Sequence, residues 1–122
     1  MVLFLILTLI IPVAYIVVGL IFWKGAHKKI NGTAGWRTKR AMINQETWTF
    51  ANSYGGKSVF VLGIILAAVS VGLGILLSTL NYEGTGWVIV IAVVQIGLLG
   101  IVYYRVENAI VKNFNGNGQR IT

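Results

Sequence analysis

The sequence predicts an all-α integral membrane protein, with three transmembrane helices and a short cytoplasmic interfacial amphipathic helix between the first and second. Three observations carry this reading. Hydrophobic side chains make up 57% of the 122 residues and charged ones only 11%, too apolar and too thinly charged for a soluble domain of this length. Three apolar stretches each approach the roughly 20 residues that a helix rising about 1.5 Å per residue needs to cross a hydrocarbon core about 30 Å thick. The cations, finally, are segregated along the chain.

The first span, residues 2–23, carries no charge. It has no cationic segment ahead of it, its apolar run is too long for a secretory signal, and no small-residue cleavage site precedes Trp23 and Lys24, so it is expected to be retained. Pro12 lies mid-span, where it removes one backbone hydrogen bond and crowds the preceding turn; a kink is expected, and neighbouring helices must cover the freed carbonyl.

The polar connection, residues 24–57, holds seven of the ten Lys and Arg residues: Lys24, Lys28, Lys29, Arg37, Lys39, Arg40 and Lys57. The other three, Arg105, Lys112 and Arg120, follow the third span, and the short connection 81–85 has none. Cationic loops remain on the cytoplasmic side, so the expected topology is amino terminus outside, long loop inside, short loop outside and carboxyl terminus inside. The net charge of +7 is thereby explained without nucleic acid as a partner. Anionic head groups at the cytoplasmic face are expected partners instead, at about 1 kcal/mol for each nearby cation.

Within this connection, "NQETWTFANSYGG" reads as the interfacial helix, with Asn44 as N-cap, Glu46 in the first turn and Gly55-Gly56 as the stop. At helical spacing Ile43, Thr47, Phe50, Ala51 and Tyr54 share one side. Asn44, Gln45 and Asn52 share the other with Trp48 at the border, so the segment is expected to lie on the membrane surface.

The second span, residues 58–80, has small residues four apart at 63/67, 68/72 and 70/74, a pattern that permits close backbone approach. It is the expected central packing helix, with Gly72 and Gly74 among its contacts. In the third span, residues 86–104, Gln95 is costly facing lipid and is expected to point inward and hydrogen-bond another helix. Trp23, Tyr54, Tyr82, Trp87, Tyr103 and Tyr104 cluster at span boundaries, as amphipathic rings at head-group level do. The tail, 105–122, is expected to extend the third helix by a turn or two and then fray through "NFNGNGQRIT". The whole reads as a single membrane domain, 1–122.

Catalytic chemistry finds little here. There is no cysteine and no aspartate, His27 is the sole histidine, and Glu46, Glu83 and Glu107 lie in different segments. Neither a metal site nor a pair of acids held at one bond can be assembled from these, so no enzyme activity and no cofactor are expected. "ANSYGGKS", 51–58, fits a relaxed phosphate-loop pattern but lacks the preceding strand; Lys57 reads as an anchor reaching for the head groups. "NGT" at Asn31 matches a glycosylation acceptor but falls in a loop expected to be cytoplasmic.

The stretch "NGTAGWRT" remains. Gly32 and Gly35 permit tight or left-handed backbone, and Arg37 offers a planar five-donor fork for carboxylate, phosphate or carbonyl groups. Asn31, then Gly35, then Arg37-Thr38, followed by Trp48, Gly55 and a membrane span, resembles the SdpI family. These are bacterial membrane proteins named for immunity to a secreted killing factor. The resemblance runs from about Asn31 through the third span. The namesake has further spans before this module, and members often have proline after the Arg-Thr pair, where this chain has Lys39.

The resemblance implies a non-enzymatic, multi-pass protein of the bacterial cell membrane that binds a peptide toxin or a partner protein. It marks Asn31, Gly35, Arg37, Thr38 and Trp48 as the motif. By the chemistry of its fork, Arg37 is expected to pair with a backbone carbonyl, with Glu46 or with an anionic partner. A second reading stays open: a small accessory or assembly subunit of a larger complex such as a respiratory one, suggested by the glycine-rich spans and Gln95. A transporter would require a homo-oligomer, because three helices without intramembrane charge make a poor pathway.

Overall fold

The structure is a computed structural model that describes residues 2–30, 35–81 and 84–121. Asn31 of the motif, the rest of "NGT", Tyr82 and Glu83 lie outside the described residues. Among the described residues three helices form the fold: α1 (Val2–Lys24), α2 (Gln45–Thr79) and α3 (Thr85–Asn113), with a 3-10 turn, Gly25–His27, continuing α1. All three are long and apolar enough to cross a membrane. Large aliphatic side chains such as Ile10, Val17, Ile65 and Val93 remain exposed on the outer faces, as lipid-facing surfaces require.

The separate interfacial helix is not present: its residues are the first turns of α2, which runs unbroken for 35 residues. Its start is where the sequence places it. Asn44 Oδ1 accepts from Thr47 N at 2.9 Å while Thr47 Oγ1 accepts from Asn44 N at 3.0 Å, a reciprocal cap that satisfies two otherwise orphaned donors. Gly55 and Gly56 do not stop it. An interior glycine costs a helix only about 0.5–1 kcal/mol relative to alanine, and both of these are buried where a side chain would not fit. A Cβ on Gly55 would stand 2.9 Å from the Trp36 ring, and one on Gly56 would stand 2.8 Å from the Gly19 carbonyl oxygen of α1.

Glycines also set the antiparallel packing of α1 on α2. Gly19 lies against the α2 backbone at Gly56 and Phe60, Gly63 lies against Ile16 and the Pro12 carbonyl, and Gly74 lies against Leu5. Gly63, Ser70 and Gly74 share the buried face of α2 with Val59, Leu66 and Leu77. Gly72 does not: a Cβ there would meet nothing within 4 Å. Two residues from Gly74 is about 200° around a helix of 3.6 residues per turn, so Gly72 points away from α1.

Pro12 and Gln95 explain each other. Proline has no N–H, so the carbonyl of Thr8, four residues earlier, loses its helical donor. Gln95 Nε2 of α3 donates to that Thr8 oxygen at 3.2 Å and to Ser70 Oγ of α2 at 2.9 Å. The Tyr15 hydroxyl returns a bond to the Gln95 carbonyl at 3.0 Å. One amide, only 3% exposed, thus ties all three helices together.

At about 1.5 Å per residue α2 is about 52 Å long, against a hydrocarbon core of about 30 Å. Its amino-terminal turns, the last turns of α3 and the Gly35–Asn44 loop therefore form a cap at the cation-rich end. Trp36, Ala41, Ala51, Val106, Ile110 and Phe114 share a buried core there.

The tail is not frayed. Phe114 is buried with its ring edge-on to Phe50 at 5.5 Å, and the chain then turns back through Gly118, whose φ of 78° suits glycine. Asn44 Nδ2 donates to the Gly118 carbonyl at 2.8 Å and Ile121 N to the Asn113 carbonyl at 2.9 Å. Arg120 lies over the Phe114 ring and pairs with Glu46 at 3.5 Å. These long-range contacts hold a segment whose glycine and asparagine content reads locally as disorder.

Candidate functional site

The motif loop is seated on α2 through Gly35. Its φ of 124° is open to glycine but strained for other residues, and a Cβ there would come within 2.7 Å of Asn52 Oδ1 and 2.8 Å of the Trp48 ring. Trp48 itself is 1% exposed. Bare backbone at residue 35 is what lets the loop lie flat on that indole. The same geometry delivers the next amide: Trp36 N donates to Asn52 Oδ1 at 2.7 Å, while Asn52 Nδ2 donates one turn back to the Trp48 carbonyl at 3.0 Å.

Trp36 links the loop to α3. Its ring covers Gly55 and stacks on Tyr103 at 5.9 Å between centroids, and its Nε1 donates to Glu107 Oε1 at 3.2 Å. Arg40 Nη1 donates to Glu107 Oε2 at 3.3 Å. Glu107 is buried, and each of its oxygens has a donor, which a buried carboxylate requires. Thr38 begins the turn that carries Arg40: its Oγ1 accepts from Ala41 N at 3.3 Å and its carbonyl from Met42 N at 3.1 Å. Arg37 is exposed.

Gly35, Trp36, Arg37 and Thr38 together close one end of a groove of about 620 Å³ between α1 and α3. Val18 and Phe22 form one wall and Leu99 and Gly100 the other. Such a surface can hold a hydrophobic segment or chain and offer it a few polar groups at one end. Among the described residues no group of three His, Cys, Asp or Glu side chains converges as metal ligands would.

The structure thus brings Gly35, Trp48 and the Arg37-Thr38 pair to one end of the bundle and sets Gln95 and Gly74 in the helix interior; Asn31 lies outside the described residues. Trp36, Asn52, Arg40 and Glu107 carry the loop's contacts without having been singled out in the sequence. Asn52 had a local signal, since it lies one helical turn after Trp48 and shares its face. Glu107 follows Trp36 by 71 positions, and no local spacing connects them.

The family model for the SdpI/YfhL protein family matches residues 27–104, well over half of the chain and inclusive of the whole motif. The chain belongs to the SdpI/YfhL family. It is 33% identical over 59 residues to an uncharacterized protein, YfhL, of Bacillus subtilis (strain 168), an alignment that covers 48% of this chain and 54% of that relative. The chain therefore spans about half the length of the curated relative it matches. No solved structure matches the chain.

The seat at Gly35 yields a direct expectation. Gly35→Ala should destabilise the cap by about 1–3 kcal/mol, from the left-handed strain and the contact with Asn52 and Trp48. Acrylamide quenching of tryptophan emission checks it, because a lifted loop uncovers Trp48. Unchanged quenching and an unchanged melting temperature would show that the loop tolerates a side chain.

Proposed function

We propose that this chain is a non-enzymatic protein of a bacterial cell membrane that binds a membrane-active peptide in the groove between α1 and α3 and so protects the envelope. The cation-rich cap faces the cytoplasm and the amino terminus faces outside, an orientation supported by the positive-inside distribution of Lys and Arg. The observation that carries the reading is the groove itself: about 620 Å³, with aliphatic and aromatic walls and the family motif at one end. Predominantly apolar walls with a few placed polar groups are what an amphipathic segment needs for affinity and orientation. Arg37 at that end supplies a fork for a peptide carboxylate or carbonyl.

The test is survival of cells expressing the chain when challenged with a panel of membrane-active peptides, including those secreted by kin strains. Gly100 lines the groove and has open space beyond its Cα, so Gly100→Trp fills the groove without displacing a helix. Wild-type expression should raise the tolerated dose of at least one peptide, and Gly100→Trp should lower that gain by about tenfold or more at equal membrane abundance. Failure to protect against every peptide, or full protection by the filled variant, would sink the reading.

A further inference from the structure

A second groove, of about 480 Å³, runs between α2 and α3. Val61 and Ile65 of α2 face Leu98 and Ile101 of α3 along it, and Lys57 and Arg105 stand at its cation-rich end, one on each helix. We propose that this groove is a binding site for one anionic phospholipid, drawn from the leaflet on that side, with the phosphate between Lys57 and Arg105 and an acyl chain along the aliphatic walls.

Charge is the first argument. At this end of the molecule Arg40 is paired with Glu107 and Arg120 with Glu46. Lys57 and Arg105 are exposed and have no carboxylate partner among the described residues. Two unneutralised cations on facing helices, at the depth where the apolar walls begin, suit an anion that arrives attached to a hydrocarbon chain.

Length is the second. From Lys57 to Ile65 is eight residues, about 12 Å of helix, close to the roughly 15 Å of hydrocarbon that one leaflet contributes to a core about 30 Å thick. A groove charged at one end and aliphatic for the depth of one leaflet matches a single lipid in shape and chemistry. A second copy of the chain fits it less well. A symmetric contact places the same patch on both sides, and would bring four cations together with no carboxylate to offset them.

This site is separate from the α1–α3 groove, so its failure leaves the peptide reading untouched. The experiment compares retention of phosphatidylglycerol and phosphatidylcholine on the full chain in detergent, read by native mass spectrometry and by thermal melting. Wild type should retain phosphatidylglycerol preferentially and melt higher with it. Lys57→Gln/Arg105→Gln should weaken that retention by roughly thirtyfold. Lys28→Gln/Lys112→Gln removes the same charge from exposed positions outside the groove and should keep the preference. Ile101→Trp, which fills the groove and leaves both cations, should lose it. Glycerol phosphate alone should neither bind nor raise the melting temperature, which separates a seated lipid from a free anion.

Equal weakening by the two charge-removing pairs would mean diffuse surface attraction and overturn the proposal, as would equal retention of phosphatidylcholine. A dimer joined across this face, shown by disulfide trapping through Ser58→Cys, would also overturn it. If Ile101→Trp misfolds by circular dichroism, the comparison of the two charge-removing pairs decides alone.

Discussion

Gly56→Leu is expected to lower stability by at least about 3 kcal/mol, whereas Gly72→Leu should leave it unchanged or raise it by up to about 1 kcal/mol. The two residues look alike in sequence: both are glycines in α2, and both are charged the same penalty for freezing a flexible backbone. They differ in what stands opposite. A Cβ on Gly56 would lie 2.8 Å from the Gly19 carbonyl oxygen and 2.9 Å from the Trp23 Cα. Both are backbone atoms, so no rotamer change relieves the contact and the helices must separate. Separation would then loosen the neighbouring contacts at Gly19 and Gly63. At Gly72 there is nothing within 4 Å, and leucine's better helix propensity is the main term left. Thermal melting in detergent, with disulfide trapping between α1 and α2, separates the cases. A Gly56→Leu protein that melts with wild type would show that glycine contact does not hold α1 to α2.

That contrast also marks where local sequence stops being informative. The three spans are legible because an uncharged apolar run of membrane length has few alternatives in lipid. The start of α2 is legible because Asn44 and Thr47 bond within one turn. Whether Gly55-Gly56 ends a helix or lets another element approach depends on Trp36 and on α1, and neither is a neighbour in sequence. The polar reading of Asn52 failed for the same reason: its amide is consumed by the Trp36 N–H and the Trp48 carbonyl, so a polar side chain sits on the buried face. The tail's glycines and asparagines signal disorder to a local reading, yet they form the turn that follows the buried Phe114 and carries Arg120 back to Glu46 of α2. The part of the cap built from long-range pairs, Trp36 with Glu107 and Asn44 with Gly118, needed the structure.

Gln95→Leu is expected to lower stability by about 2–3 kcal/mol in the wild-type background and by about 1 kcal/mol less in a Pro12→Ala background. The single substitution strands the Thr8 carbonyl and the Ser70 hydroxyl in a water-free interior, and an unpaired polar group there carries its full desolvation penalty. Leucine is no less compatible with lipid than glutamine, so a loss of stability would come from the severed bonds. Pro12 decides how large it is. The Thr8 oxygen depends on Gln95 because the proline ring left it without a helical donor. Alanine at residue 12 brings that N–H back, and the inter-helix bond becomes partly redundant. Two residues on different helices, 83 apart in sequence, should therefore be energetically coupled, and the double-mutant cycle reads that coupling directly. Strict additivity, with Gln95→Leu equally damaging beside proline and beside alanine, would mean that Gln95 serves Ser70 alone. The Thr8 contact would then be incidental.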